Sequence, residues 1–313
     1  MNGSALFHRV VVAACAAVAL AGCGGTEPGQ LAGAASGCEG ARLDAADRCR
    51  LPNGHFASQA CCALPATPDE RRSLEAYHCP AAGALIAVAF FDADSTLRVS
   101  KSGSPTANGE KDVNVLPFAA RRIAELNQQA RLVAIVSNQG GVAEGQITVA
   151  AAQAALAFTA SQLARLGGKI DYFDFAEKND EFRKPKTGMA KHLDQLLGET
   201  CGASVDWPAT FMVGDAGYKK GVDGPHPDGR PADDFSNSDR LFAENLGIPF
   251  HEPTDYFGWR DCGTFNIHDE GDLLALLVAM EQEIAALEQS GADPERLAVL
   301  EQEVASIREV NGL

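Results

Sequence analysis

An α/β fold built on a mostly parallel sheet is what this sequence predicts, and three observations carry the prediction. Short apolar runs alternate with amphipathic stretches through the middle of the chain. Several of those runs end in Asp, Ser or Gly, where a strand would hand over to a loop. Strands that alternate with helices imply right-handed crossovers, which gather strand ends distant in sequence along one edge of the sheet.

The elements follow in order. A strand is expected over 85–91, apolar throughout from Leu85 to Phe91. Residues 97–115, with Lys101-Ser102-Gly103 and Asn108-Gly109, read as a β-hairpin flap. Then come a helix near 117–130, a strand over 132–137, a helix over 148–167, a strand over 170–175, a helix over 187–197 and a strand over 210–214. Residues 216–235 form a Gly- and Pro-rich loop, longer than an ordinary connection and therefore of functional interest. A helix is expected over 236–246, where Ser236-Asn237-Ser238-Asp239 opens it as a capping box would. Asp239 reads first as that helix's cap and second as a residue of a metal site. From Asp272 to Val310, one face carries Leu273, Leu276, Leu277, Met280, Ile284 and Leu287. Gly291-Ala292-Asp293-Pro294 interrupts it, and Leu297, Leu300, Val304 and Ile307 continue. This predicts a helical hairpin packed on the core or on itself; too few heptads run on for a dimerising coil to be the stronger reading.

The amino-terminal end has a different character. His8 and Arg9 precede the apolar stretch 10–20, and Leu20-Ala21-Gly22-Cys23 closes it, which reads as a signal peptide over 1–22. Leu-Ala-Gly-Cys resembles the lipobox of bacterial lipoproteins, and that resemblance implies Cys23 as a lipid anchor to a membrane, with the rest of the chain exported to the periplasm or cell exterior. A small-residue tether over 23–37 and a Cys-rich module over 38–80 follow. Five cysteines (Cys38, Cys49, Cys61, Cys62 and Cys79) crowd the module, with Cys201 and Cys262 farther on; this density fits disulfides in an oxidising compartment. The expected segments are completed by a catalytic domain over 84–268 and C-terminal helices over 270–313. A net charge of −16 excludes a protein that coats nucleic acid through broad basic surfaces. A local basic cleft remains open, because Lys101, Lys111, Arg183, Lys184, Lys186, Lys219 and Lys220 flank the candidate site.

That site begins at Phe91-Asp92-Ala93-Asp94-Ser95-Thr96, two carboxylates just past a strand. Val136-Ser137-Asn138-Gln139-Gly140, Arg183-Lys184-Pro185 and Val213-Gly214-Asp215 follow in order. Phosphomonoester cleavage needs a nucleophile in line with phosphorus, an acid for the departing oxygen and positive charge around the phosphoryl oxygens. Asp92 supplies a carboxylate nucleophile and Asp94 a proton donor and acceptor. Ser137 holds the phosphate and Lys184 neutralises developing charge. Thr96, Asn138 and Arg183 are candidate substrate-binding residues. Clustered carboxylates facing an anion need a cation. Mg²⁺ suits oxygen ligands, here Asp92, Asp215 and the Asp94 backbone carbonyl.

The four motifs resemble those of the haloacid dehalogenase superfamily of phosphatases, which implies a Rossmann-like three-layer sandwich. More narrowly, 84–258 resembles the 3′-phosphatase domain of polynucleotide kinase phosphatases. The most specific resemblance lies in Asp234-Phe235-Ser236-Asn237-Ser238-Asp239-Arg240-Leu241-Phe242-Ala243. Ser95 stands where that family usually has Gly, and Ser137 where Thr is usual. No GxxxxGK[ST] occurs, so no kinase domain is expected in this chain. The resemblance implies a Mg²⁺-dependent enzyme that removes a 3′-phosphate from nucleic-acid ends or nucleotides. The alternative is a small phosphomonoester such as a sugar phosphate or histidinol phosphate. A non-catalytic surface lipoprotein is the third reading, and the presence of Asp92, Asp94 and Asp215 counts against it.

Overall fold

Five parallel strands form the central sheet: β1 (Val88–Phe91), β2 (Leu132–Asn138), β3 (Tyr172–Ala176), β4 (Phe211–Val213) and β5 (Phe250–His251). Their order is β5-β4-β1-β2-β3. Phe90 lies opposite Ala134 on one side and Met212 on the other. The computed structural model describes 77–263 and 266–313, with Arg72, Leu74 and the backbone of a short antiparallel pair, Arg42–Leu43 with Cys49–Arg50. The expected leader, the Cys23 anchor, the tether and most of the Cys-rich module lie outside the described residues.

Side chains that alternate along a strand serve opposite faces of the sheet, and here both faces are covered. Ala89, Phe91, Val133 and Ile135 pack with the buried faces of α1 (Ala119–Gln128) and α2 (Val149–Arg165). Val88, Phe90, Leu132, Ala134 and Val136 pack with α3 (Gly188–Cys201) and α4 (Ser238–Leu246). The result is a Rossmann-like three-layer α/β arrangement. Strand order reverses between β1 and β4, and the crevice beyond the carboxyl ends at such a reversal is where open α/β sheets bind ligands.

Local differences from the sequence reading have local causes. The expected strand over 85–91 divides at Ala87, because Leu85–Ile86 leaves the sheet to pair with Ser204–Val205. Neither Ser204–Val205 nor β5 was expected, since two-residue strands are too short to display a period. The helix expected from 236 begins at Ser238, with Asn237 at its N-cap and no side-chain capping bond. The capping-box reading is therefore corrected: Asp239 lies inside the first turn and its side chain faces the core.

An antiparallel hairpin, Arg98–Ser100 with Val113–Val115, follows β1. It is strapped to two C-terminal helices, α5 (Glu270–Ser290) and α6 (Pro294–Asn311). The Asn311 amide donates to the Val115 carbonyl and accepts from its N–H, both at 2.9 Å. Glu270 accepts from Asn114, and Glu303 accepts from the Phe118 N–H at the start of α1. Asp269 and Asp293 cap α5 and α6 by accepting from the N–H groups of Asp272 and Arg296. Leu273, Leu276, Leu277, Met280, Leu300, Val304 and Ile307 are buried in the α1–α2 side of the core. A disulfide joins Cys79 to Cys201 at the end of α3, and the Cys262 thiol is free.

Candidate active site

The end of β1 fixes the first carboxylate. Asp92 donates its backbone N–H to the Val213 carbonyl at 2.9 Å, which continues the β1–β4 ladder by one residue and leaves its side chain at the crevice. The turn that follows closes through Ser95, whose φ of 57° lies in the left-handed region. A Cβ disfavours that conformation, so Ser95 carries a local cost that a glycine would not. Two residues past β4, Asp215 brings the second carboxylate.

The third comes from α4. Asp239, Phe242 and Ala243 fall on one helical face and are all buried. Phe242 meets Phe90 edge-on, with ring centroids 5.9 Å apart, and this contact seats the helix start against the crevice. Oxygens of Asp92, Asp215 and Asp239 lie within 4.8 Å of one another. Gly214 permits the approach: a Cβ there would stand 2.2 Å from Asp239 Oδ2 and 2.7 Å from its Cβ.

Lys184 is the cation of the cluster. Its Nζ lies 2.7 Å from Asp92 Oδ1 and 2.7 Å from Asp239 Oδ1, and its side chain is 1% exposed. The loop that carries it is clamped twice. Asn138 accepts from the Lys184 N–H and donates to the Lys184 carbonyl. Gly188 lies so close to the Glu181 carbonyl that a Cβ would be 2.4 Å from that oxygen.

Charge is unbalanced here, and it shifts the proton affinities of the groups in the cluster. Burial pushes the Asp92 carboxyl up to about 6, with Asp239 and Asp94 adding to the rise and Lys184 opposing it. Burial, then the Asp92 and Asp239 carboxylates, push Asp215 well above the usual carboxylate range. Burial alone would lower Lys184, but Asp239 and Asp92 outweigh it and raise the ammonium. Three carboxylates against one lysine leave a set of hard oxygen donors that fits a divalent cation such as Mg²⁺.

Asp94 faces another way. Arg98 Nε donates to its Oδ1 at 2.9 Å and Arg98 Nη2 to its Oδ2 at 3.3 Å. Gln139 Nε2 donates to Asp94 Oδ2 and to Ser137 Oγ, both at 2.9 Å, so Ser137 and Asp94 are held by one amide. Thr96 is fully buried, and its Oγ1 has no hydrogen-bond partner among the described residues. Arg183 is half-buried, its guanidinium beside Gly140.

The structure thus brings Asp92, Asp215 and Lys184 into contact range, with Asp94 and Ser137 linked beside them through Gln139. Asn138 is occupied with the Lys184 backbone. Arg98 and Gln139 were missed as site residues, and for Asp239 the second reading, a place in the metal site, fits the geometry better than the cap read first. The apolar Phe242 and Ala243, three and four residues after Asp239, were the sequence signal for its inward face. A charged Arg98 between Leu97 and Val99 was the signal for a buried partner.

The long loop after Asp215 is pinned rather than open. Asp234 accepts from the N–H groups of Gly217 and Tyr218 at 2.9 and 2.6 Å. His226 lies 2.6 Å from Glu252 through Nδ1 and 3.1 Å from Asp233 through Nε2. Phe235, next to Asp234, is 97% exposed.

Residues 87–257 match the family described as Polynucleotide kinase 3 phosphatase. The chain is similar to the Uncharacterized 20.8 kDa protein in FGF-VUBI intergenic region of Autographa californica nuclear polyhedrosis virus, 28% identical over 169 residues, covering 54% of this chain and 84% of that protein. It is 29% identical over 105 residues to the D-glycero-beta-D-manno-heptose-1,7-bisphosphate 7-phosphatase of Pseudomonas aeruginosa, covering 32% of this chain and 56% of that one. To the Polynucleotide 3'-phosphatase ZDP of Arabidopsis thaliana it is 31% identical over 100 residues, covering 32% of this chain and 12% of that protein.

Proposed function

The chain belongs to the polynucleotide kinase 3 phosphatase family, and from that membership together with the geometry of its crevice we infer that it is a phosphomonoesterase acting through Asp92. The observation that carries the reading is the contact of Lys184 with both Asp92 and Asp239. A cation is held against the attacking carboxylate where phosphoryl charge would gather.

In the first step an Asp92 oxygen bonds to phosphorus as the ester P–O bond breaks, and Asp94 gives its proton to the departing oxygen. In the second, water attacks the aspartyl-phosphate, Asp94 takes the water's proton, and phosphate leaves. Ser137 and Lys184 contact the phosphoryl oxygens; Thr96 and Arg183 border the substrate. Asp92, Asp215 and Asp239, with the Asp94 carbonyl, would hold Mg²⁺. Bound there, Mg²⁺ supplies charge neutralisation and orients the phosphate.

The substrate on this reading is a 3′-phosphorylated nucleic-acid end or nucleotide. Family membership supports it, as does exposed Phe235, a face on which a base can stack, beside Lys219 and Lys220 on the same loop. The likeness to a heptose bisphosphate phosphatase supports a small sugar phosphate as the second reading. The leader ending at Cys23 would place the reaction outside the cytoplasm, on a membrane.

The test is an assay of the full chain with Mg²⁺ on an oligonucleotide bearing a 3′-phosphate, the same oligonucleotide bearing a 5′-phosphate, and heptose bisphosphate. Release of phosphate chiefly from the 3′ end is expected. Release from heptose bisphosphate alone would replace the leading substrate with the second.

A further inference from the structure

The proton donor of a phosphatase must stand within hydrogen-bond reach of one particular oxygen. Asp94 is gripped on both oxygens by Arg98 and on one of them also by Gln139. We propose that Arg98 is a positioning residue for Asp94: its guanidinium fork fixes the Asp94 carboxyl so that the leaving oxygen receives its proton as the P–O bond breaks. This rests on the acid–base role given to Asp94 above.

Arg98 is wholly buried, and a buried guanidinium needs a partner to offset its lost hydration. Asp94 is its one ion-pair partner among the described residues, held in a two-point contact. The third arm reaches the other way: Nη1 donates to Thr159 Oγ1 at 3.1 Å, and that hydroxyl donates to the Ala155 carbonyl inside α2 at 2.8 Å. The fork is therefore anchored to a core helix. Its backbone is fixed as well, by the N–H of Arg98 on the Ala93 carbonyl and the N–H of Ser95 on the Arg98 carbonyl. On the opposite strand of the hairpin, Val115 pairs with Arg98 and is held by Asn311.

Asp94 shares the crevice with Asp92, Asp215 and Asp239, and electrostatics alone would swing a free carboxylate away from them. A planar fork bonded to both oxygens resists that swing and fixes the plane of the carboxyl. A lysine, with one rotatable point charge, fixes neither.

Leaving-group dependence separates this role from a merely structural one. A p-nitrophenolate leaves without a proton, whereas a sugar alkoxide needs one, and kcat/KM reports the step in which the leaving group departs. For Arg98→Lys, kcat/KM on a 3′-phosphorylated oligonucleotide is expected to fall about 10²-fold, with less than about a threefold change on p-nitrophenyl phosphate. Equal losses on both substrates, or none, would overturn the proposal. If Arg98→Lys does not fold, Thr159→Val keeps the charge pair and removes only the anchor. It should show the same selective loss in smaller degree, and an unselective effect there overturns the proposal too. Asp94→Asn serves as the reference. If it turns over the oligonucleotide normally, the acid–base reading fails and the Arg98 role with it. If it is inactive while Arg98→Lys is unselective, the Arg98 role alone fails.

Discussion

At the end of β1, Asp92 has lost most of its water and faces two further carboxylates, so its proton is held to about 6 against the usual 3.8. The folded chain then binds that proton more tightly than the unfolded chain. Without a divalent cation, stability contributed by this group falls as pH rises from about 4 to about 6. A cation competes with the same proton, so its affinity must rise over that window. The increase in Tm produced by Mg²⁺ should accordingly be small near about pH 5 and larger near about pH 7; a pH-independent increase would contradict the carboxylate cluster as its site. Gly214 gives a second prediction. Gly214→Ala forces Asp239 out of the crevice, and overpacking of this kind costs about 1–3 kcal/mol. Calorimetry should find that loss together with a drop in kcat, and a stable, fully active variant would remove Asp239 from the site. Asp92, Asp94 and Asp215 were legible in the sequence because each follows an apolar run closely. Asp239 was legible only as a second reading, because an acidic residue at a helix start has a commonplace explanation as a cap, and only tertiary packing turns it inward.

A hairpin after β1 was expected over 97–115, and its strands pair 98–100 with 113–115, with Asn108-Gly109 inside the long connection rather than at a two-residue turn; its restraint was not legible. Neither the two hydrogen bonds of Asn311 to Val115 nor the Glu303 bond to Phe118 has a local signature, since the partners lie 196 and 185 residues apart. These contacts make α5 and α6 part of the catalytic framework rather than an appendage, because Arg98 sits on the strapped strand. Asn311→Ala leaves the buried N–H and carbonyl of Val115 without partners, which costs about 1–3 kcal/mol. Hydrogen exchange at Val115 and Arg98 should quicken in that variant, with a parallel fall in turnover. Unchanged protection would show that the hairpin holds without the C-terminal helix. Alternating strands and helices were read correctly where each ran for several residues. Boundaries slipped where two-residue strands joined the sheets.

Over the whole molecule, Cys79–Cys201 closes a separation of 122 residues and fastens the segment before the sheet to the end of α3. A crosslink of that span restricts the unfolded chain and typically contributes about 2–5 kcal/mol. Reduction under native conditions should lower Tm by a corresponding amount while leaving the crevice chemistry intact. The sheet reversal collects strand ends from four separate segments, and α4 closes the cluster from outside the sheet. The central claim is that Asp92 attacks phosphorus, and acid-quenched mass spectrometry tests it most directly. The full chain and its Asp92→Asn variant would each be mixed with Mg²⁺ and a 3′-phosphorylated oligonucleotide. The account predicts phosphate carried on Asp92 in the wild-type chain, none in the variant, and turnover lower by about 10⁴-fold or more. Phosphate on another residue, or wild-type turnover by Asp92→Asn, would contradict it.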